Sequence, residues 1–492
     1  MSRSRLLLAL AVVAGIALLT FSSRREERFR EVSDGALLEI ATIEALQGRQ
    51  LVGPYSRFGW NHPGPLYFYA ESPWYVASGR HTAGMIAGAL ALNLAAAGII
   101  AGLCLRWLRP IPASAVALAL CVYLLRVPDL IVSVWNPHVI MLPVVAATVL
   151  LAAFADTGRP LLLFAAIAAG SFVVQTHIAM VPIVAAVGVC AGAMQTRVVR
   201  ATARRSIALA LALWAPPLWE QLTRTPGNLT RLFLFFTREA TAGQRPGDAV
   251  NAWATELARP FASHVTLAMG ADLHPGFSAV RVTCAFVELS MLAILSVHAW
   301  RRRHRCTACV SAAALIASLV ALAAALRISG QLVDHEVFWM SLVGALNAGV
   351  VAGAVADMFV QHVGARRSAQ HALKAAAVLS LIVVSVALGA NGMRNDLNRQ
   401  RTLDDHAVDV IVEDVRQRLS AVGAHRPLFR IESGISPVAF GALLQLYKGR
   451  QPFAVEASWV HVVGESFREN GGEDVVIAIA GSTAAPRVTV SR

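Results

Sequence analysis

Apolar runs follow one another through most of this chain, about eleven of them, each near the ~20 residues that a bilayer core requires. The first extends from Leu6 to Phe21 behind a basic start with Arg3 and Arg5. The others lie near 82–105, 111–125, 139–155, 161–176, 179–194, 206–219, 281–299, 307–326, 337–360 and 373–391. A water-soluble fold has no means of burying so many. Only 15% of the 492 residues are charged, against about 25% in an ordinary soluble chain. The apolar content excludes disorder, and six cysteines in so long a chain exclude a disulfide scaffold. The reading is a multi-pass integral membrane protein of bacterial inner- or plasma-membrane type. The first run is taken as an uncleaved span, because no small-residue cleavage site follows it.

Basic residues then set the orientation. Alternate connections carry Arg106 and Arg109, then Arg159, then Arg197, Arg200, Arg204 and Arg205. Further on come Arg301, Arg302, Arg303 and Arg305, then Arg366, Arg367 and Lys374. Short connections on the other side hold little beyond Arg126 and Arg327. The positive-inside rule places the N-terminus in the cytoplasm and the C-terminal segment outside. Much of the formal charge of +13 is therefore a topology signal. No basic groove interleaved with aromatics is present, so nucleic acid is not expected as a partner.

Three outer segments are long enough to act: 23–80, 220–280 and 393–492. The last differs in composition. His406–Leu419 reads as an amphipathic helix, Pro427–Ile431 as a strand and Ser436–Tyr447 as a helix, with strand-like runs at Phe453–Val455 and Val475–Ala480. The expected fold is mainly α: a polytopic transmembrane helical bundle at 1–392, followed by a small extracytoplasmic α/β domain at 393–492. Cys306 and Cys309 form a lone CxxC with no second ligand pair, where a span simply begins.

Polar residues gather at the outer span ends. They include Asp34 and Glu39, the stretch Val52-Gly53-Pro54-Tyr55-Ser56-Arg57, and His62-Pro63-Gly64-Pro65-Leu66-Tyr67-Phe68. Arg126 and Asp129 follow, then His138, His177 and finally Arg327 with Asp334-His335-Glu336.

In its first outer segment the chain resembles the GT-C superfamily of membrane glycosyltransferases, notably the aminoarabinose and protein O-mannosyl transferase branch. Those proteins carry an Asp just after the first span, an E-I-A-like helix, a V-x-P stretch and a K/H-P-P-L-x-Y-aromatic motif. Here Asp34, Glu39-Ile40-Ala41, Val52-Gly53-Pro54 and His62 to Phe68 occur in that order, within residues 30–70. The resemblance implies a polyprenyl-phosphate-linked sugar donor in the membrane lipid, and an unidentified glycan, lipid or protein acceptor. It also assigns Asp34 as general base of an inverting transfer. The chain departs from the pattern where Gly35 replaces a second acid, Leu37 or Leu38 an aromatic, and Gly64 a proline.

The chemistry is coherent on its own terms. An acceptor hydroxyl is a weak nucleophile that gains from a placed carboxylate. A phosphate leaving group needs cations, and Arg57, Arg126 and Arg327 are the candidates, since guanidinium pairs bidentately with phosphate. Asp129 is a second catalytic candidate, and His62, His138 and His177 are candidates for hydrogen bonding to the donor. Each has a plainer reading. Asp34 suits a helix N-cap; Asp129 suits an interfacial loop; the histidines suit backbone-satisfied side chains. A divalent metal is left open, without two-histidine spacing on any one helix. Two other classes stand as alternatives, a transporter or lipid flippase and a non-catalytic envelope assembly protein acting through residues 393–492. The absence of paired repeats and the outward concentration of polar groups favour an enzyme over a transporter.

Overall fold

Every apolar run expected after residue 80 is helical in the computed structural model, which describes residues 29–239, 243–273, 276–363 and 366–491. The expected first span, Leu6–Phe21, lies outside the described residues. Six helices are long and apolar enough to cross a membrane singly: Ala83–Arg106, Asn136–Thr157, Ala279–Arg301, Arg305–Arg327, Asp334–Val363 and Arg367–Asp396. Ile178–Met194 and Thr196–Thr223 meet at a bend of 120° and add a seventh if taken as one broken span. Pro110–Arg126 and Pro160–Thr176 are shorter, each opened by a proline in the first turn, where its missing N–H costs nothing. Length alone thus gives fewer certain crossings among the described residues than the eleven apolar runs suggested.

Asn136–Thr157 forms the centre of the bundle, with its whole apolar window buried. A helix that is apolar on every side has to be enclosed by others. Around it pack Ala83–Arg106, Pro160–Thr176, Val181–Met194 and Arg305–Arg327. Two buried helices were not expected from the sequence. Leu66–Ala77 continues the His62–Phe68 motif inward, burying Tyr67, Phe68 and Tyr75. Pro246–Ala258 inserts Trp253, fully enclosed, whose indole N–H donates to the Ser318 carbonyl at 3.0 Å. Its apolar positions Ala249, Ala252, Trp253 and Leu257 follow helical spacing, but the run is too short to register as a span.

The C-terminal segment builds a four-stranded sheet in the order β2-β1-β3-β4: β1 Pro427–Ile431, β2 Ala454–Val455, β3 Val475–Ser482 and β4 Ala485–Ser491. β1 runs parallel to β2 and β3, and β4 closes an antiparallel hairpin that the sequence reading did not contain. Helices Leu403–Val422 and Ser436–Lys448 complete this unit. Its core also takes in Ala36, Leu37 and Ile40 from helix Ser33–Leu46, while Leu38 and Ala45 of that helix join the bundle core. One short helix is therefore clamped between two cores. Its hold is reinforced by a buried ion pair, Lys448 Nζ to Glu39 Oε1 at 2.6 Å, with Tyr75 and Thr82 also donating to Glu39 at 2.8 and 2.7 Å. Glu39 is thus a structural anchor.

Candidate active site

Helix Ser33–Leu46 carries Asp34 in its first turn, and the carboxylate does not cap its own helix: the cap position is Val32, with no side-chain bond. Both oxygens turn outward instead. Oδ1 accepts the Tyr55 hydroxyl at 2.6 Å, and Oδ2 accepts the Trp135 indole N–H at 2.7 Å. Burial and the neighbouring Asp34 charge push the Tyr55 phenol far above its ordinary range, so it stays a donor. Two rigid donors from two different segments fix the carboxylate's direction, and the positive end of the helix faces it. At position 35 an added Cβ would meet only the far end of the flexible Glu31 side chain.

Asp34 lies where two cavities meet. One, of about 560 Å³, runs from Asp34 past an aromatic wall of Phe58, Trp60, Phe235 and Phe236 to the ends of helices Val181–Met194 and Arg305–Arg327. The other, of about 90 Å³, lies beneath the C-terminal unit and is bordered by Glu220, Arg224, Arg231, His461 and Glu465. Asp34, Tyr55 and Asn136 border both. The first is chiefly apolar, the second mixed in charge.

The cations of the larger cavity are unequal. Arg57 is already engaged, donating to Glu336 Oε1 and to the Gln331 carbonyl, each at 2.9 Å. Arg327 borders the cavity and has no side-chain hydrogen bond or ion pair with another described residue. Among the described residues it is therefore the cavity guanidinium without a side-chain partner. Arg126 is not brought to either cavity; its guanidinium donates to the Ala262 carbonyl. Asp129 is exposed on the turn Pro128–Ile131, close to Asp396 and away from Asp34. Arg126 ends helix Pro110–Arg126 and Asp129 lies on the turn just after it; the turn packs chiefly on Arg367–Leu397, and neither residue lines a cavity that Asp34 borders.

His62 and His177 do face the large cavity, stacked with ring centroids 4.6 Å apart. Each accepts a backbone N–H at Nδ1: His62 from Ile178 at 3.1 Å, His177 from Ala179 at 3.4 Å. Burial, then the neighbouring His177 and His335, holds His62 well below the usual imidazole range. Burial, then His335, brings His177 down to about 3. Both are neutral at physiological pH. His138 is set behind the site, bonded to Ser133 at 2.8 Å and edge-on to Trp135, so it braces the indole that holds Asp34. Gly64 is required by packing: a side chain there would overlap Gln175, whose carbonyl accepts the Gly64 N–H at 3.2 Å.

Among the described residues, no three His, Cys, Asp or Glu side chains gather where a metal ion could sit. His62 and His177 present ring faces to each other and spend their Nδ1 lone pairs on backbone N–H groups, so these two rings are not set as a metal-ligand pair. Trp135 and Arg231 were not recognised as site residues in the sequence. Trp135 was legible only as an interfacial aromatic, and Arg231 had no signal separating it from its neighbours.

No protein-family model and no curated protein matches the chain by sequence. Among solved structures it is similar to ArnT from Cupriavidus metallidurans bound to undecaprenyl phosphate, with a TM-score of 0.51 at 13% identity. The likeness covers 96% of this chain and 92% of that one. Over nearly its whole length, the chain therefore shares the fold of that ArnT structure.

Proposed function

We propose that the protein is an integral-membrane glycosyltransferase that moves a sugar from a polyprenyl-phosphate-linked donor to an extracytoplasmic acceptor. The observation that carries this reading is the position of Asp34 between an apolar cavity, whose Arg327 has no side-chain partner among the described residues, and a smaller polar one. The apolar cavity suits a donor whose lipid tail stays in the bilayer, and the ArnT structure of the same fold is a complex with undecaprenyl phosphate. The orientation follows the basic connections, with the C-terminal unit outside.

In this mechanism the donor phosphate pairs with Arg327, which holds the charge that develops as the sugar leaves. Arg57, fixed by Glu336, adds positive potential nearby. The acceptor hydroxyl arrives from the polar cavity. Its proton passes to Asp34 as its oxygen bonds to the anomeric carbon. The bond from that carbon to the phosphate oxygen breaks, and the polyprenyl phosphate departs with the electron pair. Attack and departure from opposite sides invert the anomeric centre. Tyr55 and Trp135 position the base, and neutral His62 and His177 keep the pocket wall free of competing charge.

The test is Asp34→Asn in a deletion strain, beside wild type at matched expression, with mass spectrometry of polyprenyl-phosphate sugars and surface glycans. General-base loss predicts a rate fall of about 10²–10⁴-fold with the protein still folded. One lipid-linked sugar should accumulate and one glycan modification disappear. Near-normal transfer by the Asn variant would sink the assignment.

A further inference from the structure

Helix Arg305–Arg327 has a cavity at each end. Its last residue borders the site described above; His304 and Thr307, at its start, border another cavity of about 480 Å³. With 23 residues in the helix and a rise of 1.5 Å per residue, the two cavities are about 35 Å apart. That is about the depth of a bilayer's hydrocarbon core, so the second cavity opens near the opposite membrane face.

Its lining is graded along the helices that form it. Leu295 lies two turns deeper than Arg302 on helix Ala279–Arg301 and its cap, and Ala354 lies deeper than Gln361 on helix Met340–Val363. Leu295, Ala354 and Met358 make the inner part apolar, while Arg302 makes the mouth basic and His298 and His304 add hydrogen-bonding rings to it. The carboxylate bordering this cavity, Asp357, is already neutralised: Arg109 Nη1 reaches it at 2.8 Å, and Gln361 donates to it at 2.8 Å. His298 and Arg302 have no side-chain hydrogen bond or ion pair with another described residue. Around the mouth, Val297, Trp300 and Phe359 present exposed apolar surface where lipid would contact the helices. A basic mouth over an apolar floor, between helix ends at the membrane surface, has the polarity profile of a single phospholipid.

We propose that this cavity binds the phosphodiester headgroup of an anionic phospholipid, with Arg302 and His298 on the phosphate and Leu295 and Met358 against the upper acyl methylenes. The site is separate from Asp34 and does not depend on the glycosyl-transfer reading. A free phosphate would use the same donors but has nothing to place against the apolar floor.

The full-length protein in detergent is titrated with dioleoylphosphatidylglycerol or dioleoylphosphatidylcholine and read by native mass spectrometry. Wild type should retain the glycerol lipid in preference to the choline lipid. Arg302→Gln should weaken that retention about fivefold, as expected for one cation near an anionic headgroup. Met358→Trp, which fills the apolar part without changing charge, should also weaken it. Arg204→Gln, an equal charge loss on the exposed face of helix Thr196–Thr223, should not. Unchanged unfolding temperatures show that the variants are folded. Equal weakening by the Arg204 variant would reduce the effect to a diffuse basic face and overturn the proposal. So would the absence of headgroup preference, an unaffected Met358 variant, or displacement of the lipid by millimolar inorganic phosphate.

Discussion

Removal of Arg327 gives the sharpest test of how the donor phosphate is held. Its guanidinium borders the large cavity and is engaged by no other described side chain, so Arg327→Gln breaks no ion pair and strands no partner among the described residues. The loss then measures the phosphate contact itself. A charge-assisted hydrogen bond contributes about 1.5–3 kcal/mol, and a bidentate guanidinium makes two. Arg327 is exposed at the cavity wall, so solvent screening reduces that sum to about 2 kcal/mol, or about 30-fold in affinity. Undecaprenyl phosphate affinity, by native mass spectrometry or fluorescence competition, should fall by that factor. Arg327→Lys should recover only part, because it restores charge without the fork. The reasoning fails if Arg327→Gln binds within threefold of wild type while Arg57→Gln loses more than tenfold. The phosphate would then sit at the Arg57–Glu336 pair.

Three further outcomes follow from the geometry. Tyr55→Phe deletes one of the two donors holding Asp34, so kcat should fall about tenfold with undecaprenyl phosphate affinity unchanged; an affinity loss without a kcat loss contradicts a positioning role. Lys448→Met leaves Glu39 buried without its cation and should cost about 3 kcal/mol, at the lower end for breaking a buried pair because Tyr75 and Thr82 still donate. Thermal unfolding should show the double variant Glu39→Gln/Lys448→Met regaining most of that, and an additive double variant refutes the coupling. For pH, His177 is depressed to about 3 from an unfolded value near 6.5, and His62 is shifted in the same direction. Their contribution is complete above about pH 6.5 and is lost as pH falls toward the folded values. His177 alone should cost about 2 kcal/mol between pH 6.5 and 5, at about 1.4 kcal/mol per unit. His177→Gln should flatten that acid limb.

Helical runs, the basic connections and the first-segment motif order are local properties, and they were legible because each is written in consecutive residues. Asp34 was reachable that way, as were Arg57, His62, His177 and Arg327, all of which border one cavity. β1 was readable to the residue because Pro427–Ile431 alternates inward and outward against a single core. Helix Pro246–Ala258 was not, since its short length matches no spanning template and only its burial among three other helices stabilises it. Asp129 and Arg126 stood as candidates beside Asp34 and Arg57 because all four lie in outer segments or at outer span ends. Which span ends converge depends on how helices pack, and residue type does not encode that. The same holds for the Tyr55 and Trp135 donors, 21 and 101 positions from Asp34, for the Glu39–Lys448 pair, and for the ion pair that engages Arg57 but, among the described residues, not Arg327. The amino-acid sequence by itself determined that this chain lives in a membrane and where its chemistry-bearing side chains cluster. Tertiary packing decided which of them share a cavity, because contact energies arise between residues that only folding brings together.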